Sequence, residues 1–168
     1  PERYKAAGGV KPYILTEYGP GGIWESGKTS WGAPLELTST GKAASYRQTY
    51  ERAIAKQPLC LGGYAFTWGN KQEATATWFG MLLPDGSRLG AVDAHTELWT
   101  GKPAANLCPR IDSLKLECPD KMDPGATVRA SLKVIDPESD PLDVKWVLQG
   151  EVGETAMGGD AQAAPPLY

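Results

Sequence analysis

The sequence is poor in the side chains that bind metals or build disulfide scaffolds. Its 168 residues include three cysteines and one histidine. Cys60, Cys108 and Cys118 are too few and too unevenly spaced for a disulfide framework, although Cys108 and Cys118 could pair. Without a CxxC pair or a second histidine, His95 has no partners for a zinc site. We therefore expect chemistry without a bound metal.

An excess of basic charge and long apolar runs are also missing. Lysine and arginine number 17 against 20 aspartate and glutamate residues, which gives a net charge of -3. A surface of this charge has no electrostatic attraction for nucleic acid. No apolar stretch approaches the roughly 20 residues that a membrane-spanning helix needs. The sequence predicts neither a nucleic-acid partner nor a membrane span.

Glycine, proline and two kinds of aromatic residue are abundant instead. There are 20 glycines, 14 prolines, 6 tryptophans and 7 tyrosines, but only 2 phenylalanines. Residues 19–38 run without helical or strand periodicity and carry Trp24 and Trp31. A segment this long and this aromatic is typical of an ordered functional loop rather than of disorder. We expect it to cover a cleft.

A short apolar run that ends on a carboxylate precedes this loop. Residues 12–16 read Pro-Tyr-Ile-Leu-Thr, the pattern of a buried parallel strand. Glu17 follows, and the glycines and proline of residues 19–22 prevent the strand from continuing. A charge at the end of such a strand indicates a functional group, or else a glutamate that only satisfies neighbouring donors.

The order of elements predicts a parallel βαβ unit. Residues 39–57 show helical spacing of apolar residues, Ser39 or Thr40 can cap them, and Pro58 ends them. Residues 59–68 are a second apolar strand, followed by Asn70 and Lys71. Parallel strands end at one edge of a sheet, so the polar groups after both strands should meet there.

The C-terminal part has a different sequence pattern. Residues 89–99 predict a last helix, and residues 102–109 predict a linker. Alternating apolar residues follow at 114–118, 128–134 and 144–148, separated by turns rich in proline and aspartate. This alternation of short strands and turns predicts an antiparallel sandwich, although the sequence offers fewer strands than a complete sandwich has.

The segment KPYILTEYGP resembles the seventh strand of the clan A glycoside hydrolases, retaining enzymes with a (β/α)8 barrel. Its TEYG tetrad resembles the signature around the nucleophile in β-galactosidase and β-glucuronidase relatives. Residues 64–68 resemble the eighth strand, which ends on a tryptophan. The resemblance implies an α/β fold: residues 1–109 would be the last two βα units of a partial (β/α)8 barrel, with the rest of that barrel upstream of Pro1.

The resemblance also implies roles for residues of the predicted cleft. Glu17 would be the catalytic nucleophile, because retaining hydrolysis uses one carboxylate to attack the anomeric carbon. Substrate contacts would come from residues that present flat rings or hydrogen-bonding groups at the cleft: Tyr18, Trp31 (or Trp24), Trp68, Asn70 and Lys71. One feature departs from the family, because its acid/base glutamate follows an asparagine and no Asn-Glu pair occurs here. We expect that residue upstream.

Residues 110–168 resemble a bacterial cadherin-like or immunoglobulin-like module, here incomplete and with a flexible tail. The resemblance lies mainly in residues 134–142, and it implies a secreted or periplasmic protein. In such modules an acidic loop can hold Ca²⁺ through oxygen ligands. Asp136, Glu138, Asp140 and Asp143 could supply them, whereas a solvated Asp-Pro turn explains the same residues without a metal.

These expectations combine into one functional hypothesis. The chain would be a fragment of a retaining glycoside hydrolase acting on β-linked polysaccharide or oligosaccharide, would supply the nucleophile half of the cleft and would be inactive alone. The alternative is a non-catalytic carbohydrate-binding or cell-surface protein built on a barrel remnant. In both, Glu17 and Trp68 should share one edge of the sheet, and apolar surface should stay uncovered.

Overall fold

The computed structural model describes residues 1–152 and 162–168. In the described part, strands and helices alternate over the first hundred residues, and a hairpin follows. The elements are α1 (Glu2–Ala6), β1 (Tyr13–Tyr18), α2 (Ser39–Tyr50), β2 (Cys60–Ala65), α3 (Gly90–Thr100), β3 (Arg110–Glu117) and β4 (Arg129–Ile135). A π-helical segment, Glu51–Ala55, continues α2 without a break.

The first sheet consists of β1 and β2 in parallel register. Tyr13 pairs with Cys60 at one end and Tyr18 with Ala65 at the other. The parallel βαβ order predicted from the sequence is therefore confirmed. Both strands end at the same edge, so the residues that follow them begin on one side of the sheet.

Helix α2 is capped by Thr38, which lies one residue before Ser39 and two before Thr40, the two predicted caps. The Thr38 hydroxyl accepts a hydrogen bond from the Gly41 amide at 3.2 Å. The two predicted capping residues serve neighbouring elements instead, because Ser39 Oγ accepts from the Gly90 amide at 2.9 Å and Thr40 Oγ1 accepts from the Ile111 amide at 2.9 Å. These bonds fix α3 and the start of the hairpin against α2.

The apolar core lies between the parallel sheet and the two longer helices. Its buried members come from β1, α2, the π-helical segment, α3 and the loop before α3: Tyr18, Tyr46, Ile54, Met81, Ala91 and Val92. Tyr46, Met81 and His95 are the largest side chains with almost no exposure. Burial of each large apolar side chain contributes about 1.5–3 kcal/mol to folding. The core therefore fixes the position of the end of β1, where Glu17 lies.

The partial (β/α)8 barrel predicted for residues 1–109 is wrong. The parallel sheet of the described residues has two strands, and closure of a barrel requires every strand to have a neighbour on each side. Ile14, Leu61 and Tyr64 on this sheet are 50%, 71% and 68% exposed. The protein is a small mixed α/β structure, with the uncovered apolar surface that the sequence led us to expect.

The predicted incomplete sandwich is also wrong. Strands β3 and β4 form a separate two-stranded antiparallel sheet, from the pair Arg110–Ile135 to the pair Glu117–Arg129. The third predicted strand, at residues 144–148, is not a strand, and Trp146 in it is 56% exposed. A sandwich requires a second sheet across the apolar face, and the described residues contain none there. The boundary between the two predicted domains stays a prediction.

The helices of the described residues are short. The longest run of α-helix is α2 with 12 residues, and α3 has 11. Within residues 1–152 and 162–168, no helix has the length and apolar character needed to cross a membrane.

Candidate functional site

A cleft of about 400 Å³ opens at the edge of the sheet where β1 and β2 end. Its charged lining residues are Glu17, Glu25, Lys71 and Glu73. Its aromatic lining residues are Tyr18, Trp24, Phe66 and Phe79. Because the two strands are parallel, their ends bring Glu17 and the segment after β2 to one place. The cleft joins acidic groups to flat apolar surfaces.

Glu17 is exposed at the cleft while its neighbour Tyr18 is buried. Consecutive strand residues point to opposite faces, so the burial of Tyr18 in the core turns the preceding side chain outward. Among the described residues, no hydrogen bond or ion pair engages the Glu17 carboxylate. The carboxylate is therefore available to a ligand.

Lys71 and Glu73 form an ion pair in the lining of the cleft. Their side chains are 20% and 9% exposed. The Lys71 ammonium also lies 5.5 Å from the ring centre of Phe66, within the range of a cation–π contact. The positive charge of Lys71 is thus compensated by Glu73, so Lys71 does not neutralise Glu17.

Trp24 and Glu25 belong to the loop over the cleft. Glu25 Oε2 accepts a hydrogen bond from the Gly22 amide at 2.8 Å, which closes a turn around Trp24. The indole of Trp24 is 69% exposed and lines the cleft. The family motif assigns no role to Glu25 or Glu73. The sequence marked only the loop of residues 19–38 as a cover for a cleft, and it gave no signal that selects Glu25 or Glu73.

Tyr18 borders the cleft, but its hydroxyl is engaged in the core. Tyr18 Oη and His95 Nε2 are 3.0 Å apart, and both residues are buried. Burial raises the pKa of Tyr18 to about 12. The substrate contact predicted for Tyr18 stays a prediction. The edge of its ring could make that contact without the hydroxyl.

The other predicted substrate residues lie outside the lining of the cleft. Trp68 and Asn70 follow β2 at the same edge as Glu17, and Trp68 is 64% exposed. Trp31 is 54% exposed and donates from Nε1 to Glu151 Oε1 at 3.3 Å. Of the residues expected to bind substrate, the structure brings Tyr18, Lys71 and Trp24, the alternative to Trp31, to the cleft together with Glu17.

Close packing holds the two walls of the cleft together. The Tyr46 hydroxyl donates to the Phe66 carbonyl and lies 3.2 Å from the Phe79 carbonyl oxygen. A Cβ on Gly19 would lie 2.7 Å from the Phe66 carbonyl oxygen and 3.1 Å from the Tyr46 hydroxyl. Glycine at this position therefore permits the close approach of the two segments that follow β1 and β2.

A second cavity of about 220 Å³ adjoins the cleft and shares Pro20 and Glu25 with it. Lys42 lines it and is buried, with its ammonium bonded to Glu36 and to the Thr77 carbonyl. Burial lowers the pKa of Lys42, and the nearby Glu36 carboxylate opposes that shift. Lys42 is therefore in an ion pair with Glu36, as Lys71 is with Glu73 in the cleft.

The acidic loop after β4 uses its oxygens locally. Asp136 Oδ1 accepts from the amides of Glu138 and Asp140, at 3.0 and 2.9 Å. Asp140 Oδ2 accepts from Asn106 Nδ2 at 2.7 Å. The part of the chain that the structure describes has no group of three His, Cys, Asp or Glu residues placed to hold a metal ion. The Ca²⁺ ligands expected at these residues and at Asp143 are therefore not assembled.

No protein-family model matches this chain, and no curated protein matches it either. The chemistry of the cleft and the strand-end motif that carries Glu17 are therefore the features from which a function can be inferred.

Proposed function

We propose that this chain supplies part of a carbohydrate-binding cleft of a retaining glycoside hydrolase, with Glu17 as the nucleophile. The substrate would be a β-linked polysaccharide or oligosaccharide, and the secreted or periplasmic location belongs to the same proposal. One observation carries it: an exposed and unpaired carboxylate at the end of a parallel strand faces a cleft lined with aromatic rings.

The chemistry requires a carboxylate that is ionised and free. In the first step an oxygen of Glu17 bonds to the anomeric carbon while the bond to the leaving oxygen breaks, and a second carboxyl group protonates that oxygen. Glu17 has no competing partner among the described residues, which suits it to attack. We assign the proton donor to no residue of this chain and expect no turnover by the chain alone.

The aromatic lining suits a sugar ring. Pyranose rings present flat CH faces that pack on indole and phenyl rings, while their hydroxyls bond to polar groups at the rim. Trp24 offers the most exposed ring of the cleft, and Lys71 and Glu25 offer charged groups beside it. A cleft of about 400 Å³ falls within the usual size range of small-molecule sites.

A second candidate is a carbohydrate-binding protein without catalytic activity. Two observations favour it: the sequence has no Asn-Glu pair, and Glu73, the most buried acid of the cleft, is held by Lys71. A carboxylate held in an ion pair with a neighbouring lysine suits a structural role better than that of a proton donor.

Titration of the whole chain with a neutral β-linked glucose tetramer, followed by calorimetry, tests the shared requirement of both candidates. We expect Trp24→Ala to weaken binding about tenfold, because stacking surface is lost. Trp146→Ala is the matched control, since Trp146 is 56% exposed and lies far along the chain from the cleft residues. Equal affinity of the wild type and Trp24→Ala, or no binding by any variant, would overturn the proposal.

Glu17→Gln separates catalysis from binding. In an enzyme this change keeps the shape of the cleft and abolishes covalent attack on an activated sugar. In a binding protein the wild type forms no covalent adduct at all, although it still binds the tetramer.

A further inference from the structure

The charges of the cleft do not balance. Glu17, Glu25 and Glu73 line it together with one lysine, Lys71. Lys71 is paired with Glu73, and its ammonium also faces the Phe66 ring. Two carboxylates therefore remain without a cationic partner within the lining.

Neighbouring cations do not supply the missing charge. Lys42, in the cavity that shares Glu25 with the cleft, is buried and paired with Glu36. The only polar partner of the Glu25 carboxylate in the described residues is the Gly22 amide, a neutral donor. The cleft thus holds a net charge of about two negative units next to low-dielectric aromatic walls, which strengthen its field.

A metal ion is a poor match for this field. The described residues offer no group of three acidic, histidine or cysteine side chains positioned to coordinate one. An organic cation that stacks on aromatic rings and meets carboxylates at its edge fits the same lining better, because it needs no closed coordination shell.

We infer, on the basis of the proposed function, that the cleft selects amino sugars, such as β-linked glucosamine units, over neutral and acidic ones. The amino group of glucosamine is on C2, next to the anomeric carbon. A carboxylate that faces C1, as Glu17 would, therefore also lies close to the ammonium. An acidic sugar places a carboxylate in the same negative field and is repelled.

The experiment compares three tetramers of similar size: glucosamine, glucose and glucuronic acid, all β-linked. Calorimetry of the whole chain at about pH 6 keeps the amines protonated and the carboxyl groups ionised. We expect the glucosamine tetramer to bind about fivefold or more tighter than the glucose tetramer, and the glucuronic acid tetramer to bind weakest. Raising salt from about 0.1 M to 1 M should largely remove these differences.

Charge-removal variants assign the effect to the cleft. Glu25→Gln should reduce the preference for glucosamine over glucose, measured as the ratio of the two affinities, several-fold. Glu117→Gln, which removes the same charge at the end of β3, should leave the preference unchanged.

The outcomes separate the two proposals. Equal affinity for glucosamine and glucose, or tighter binding of the glucuronic acid tetramer, overturns the amino-sugar selectivity and leaves the carbohydrate cleft standing. If Glu25→Gln does not change the preference for glucosamine over glucose, the amino-sugar selectivity of the cleft is also overturned, because the charge that causes the preference would then lie elsewhere in the protein. Failure of all three tetramers to bind overturns the proposed function itself.

Discussion

The hydroxyl oxygen of Tyr18 lies 3.0 Å from Nε2 of His95, while Nδ1 of the same ring lies 2.7 Å from the Ala91 carbonyl oxygen. A carbonyl oxygen only accepts, so Nδ1 carries the proton and Nε2 accepts from Tyr18. This pair joins the last residue of β1 to α3 directly behind Glu17. The position of the candidate nucleophile therefore depends on a buried, neutral histidine.

Tyr18→Phe should destabilise the protein by about 1–3 kcal/mol, because it leaves Nε2 of buried His95 without a donor. Urea unfolding monitored by tryptophan fluorescence measures the change. Tyr64→Phe is the matched control, since Tyr64 is 68% exposed and has no hydrogen bond through its hydroxyl in the described residues. If both variants unfold at the same urea concentration, the Tyr18–His95 bond has no role in stability.

Stability should fall as the pH is lowered through the range below about 6.5, the usual value for an unfolded histidine. Burial lowers the pKa of His95 in the folded state, and the bond to the Ala91 carbonyl opposes this shift. The unfolded chain then binds a proton that the folded chain rejects. The contribution of His95 is therefore complete above the unfolded pKa and is lost as the pH falls toward the folded one.

Among the described residues, the aromatic rings that contact the imidazole carry no charge that would offset this effect. Tyr18 and Tyr46 pack against it, and burial raises the pKa of both hydroxyls, so neither ionises in the same pH range. The centre of the Trp99 ring lies 4.8 Å from that of His95 at a tilted angle, and the indole does not titrate. The difference in free energy of unfolding between the wild type and His95→Gln should be constant above about pH 6.5, and the wild type should lose stability relative to the variant as the pH falls below that value. Parallel pH profiles would contradict the assignment.

Lys42→Met should destabilise the protein by about 3 kcal/mol, since it leaves Glu36 without its cation beside the second cavity. The double variant Lys42→Met with Glu36→Gln should recover part of this loss, because no uncompensated charge then remains. Glu36 also accepts from the Thr77 hydroxyl at 2.7 Å, a bond that glutamine can keep. Thermal unfolding of the two single variants and the double variant completes the cycle, and strictly additive effects would show that the pair is not coupled.

Local pattern predicted the elements that surround the site. The strand that ends at Glu17, helix α2 and helix α3 lie close to where apolar spacing placed them, because each buries one face against the same core. Gly101, just past α3, adopts the left-handed conformation with φ of 73°, as a C-terminal glycine is expected to do. Periodicity is a property of nearby residues, so a single sequence reveals it.

The larger architecture could not be predicted in this way. An apolar strand has the same sequence whether it has one neighbour or two, so residues 13–18 gave no sign that the parallel sheet stops at two strands. The alternating pattern of residues 144–148 suggested a strand, but no partner strand is available to it among the described residues. In both cases the prediction assumed neighbouring strands that the described residues do not contain.

The cleft was predicted in part. The strand-end rule located Glu17 and Lys71 correctly at one edge, because register fixes where parallel strands end. Trp24 and Trp31 lie in the same aperiodic loop, and only the fold of that loop decides that Trp24 lines the cleft. Glu25 and Glu73 carry no motif of their own. Their place in the site is a property of loop geometry, which a single sequence does not encode in a readable pattern.

Covalent trapping tests the role of Glu17 most directly. A 2-deoxy-2-fluoro glycosyl fluoride needs no proton donor: an oxygen of Glu17 bonds to C1 as the C1–F bond breaks, and fluoride leaves with the electron pair. We predict that mass spectrometry of the digested chain finds one added fluoro-sugar on the peptide that contains Glu17, and none in Glu17→Gln. A label on a peptide that lacks Glu17, or an unlabelled wild type that still binds the glucose tetramer, would contradict the assignment of Glu17 as nucleophile.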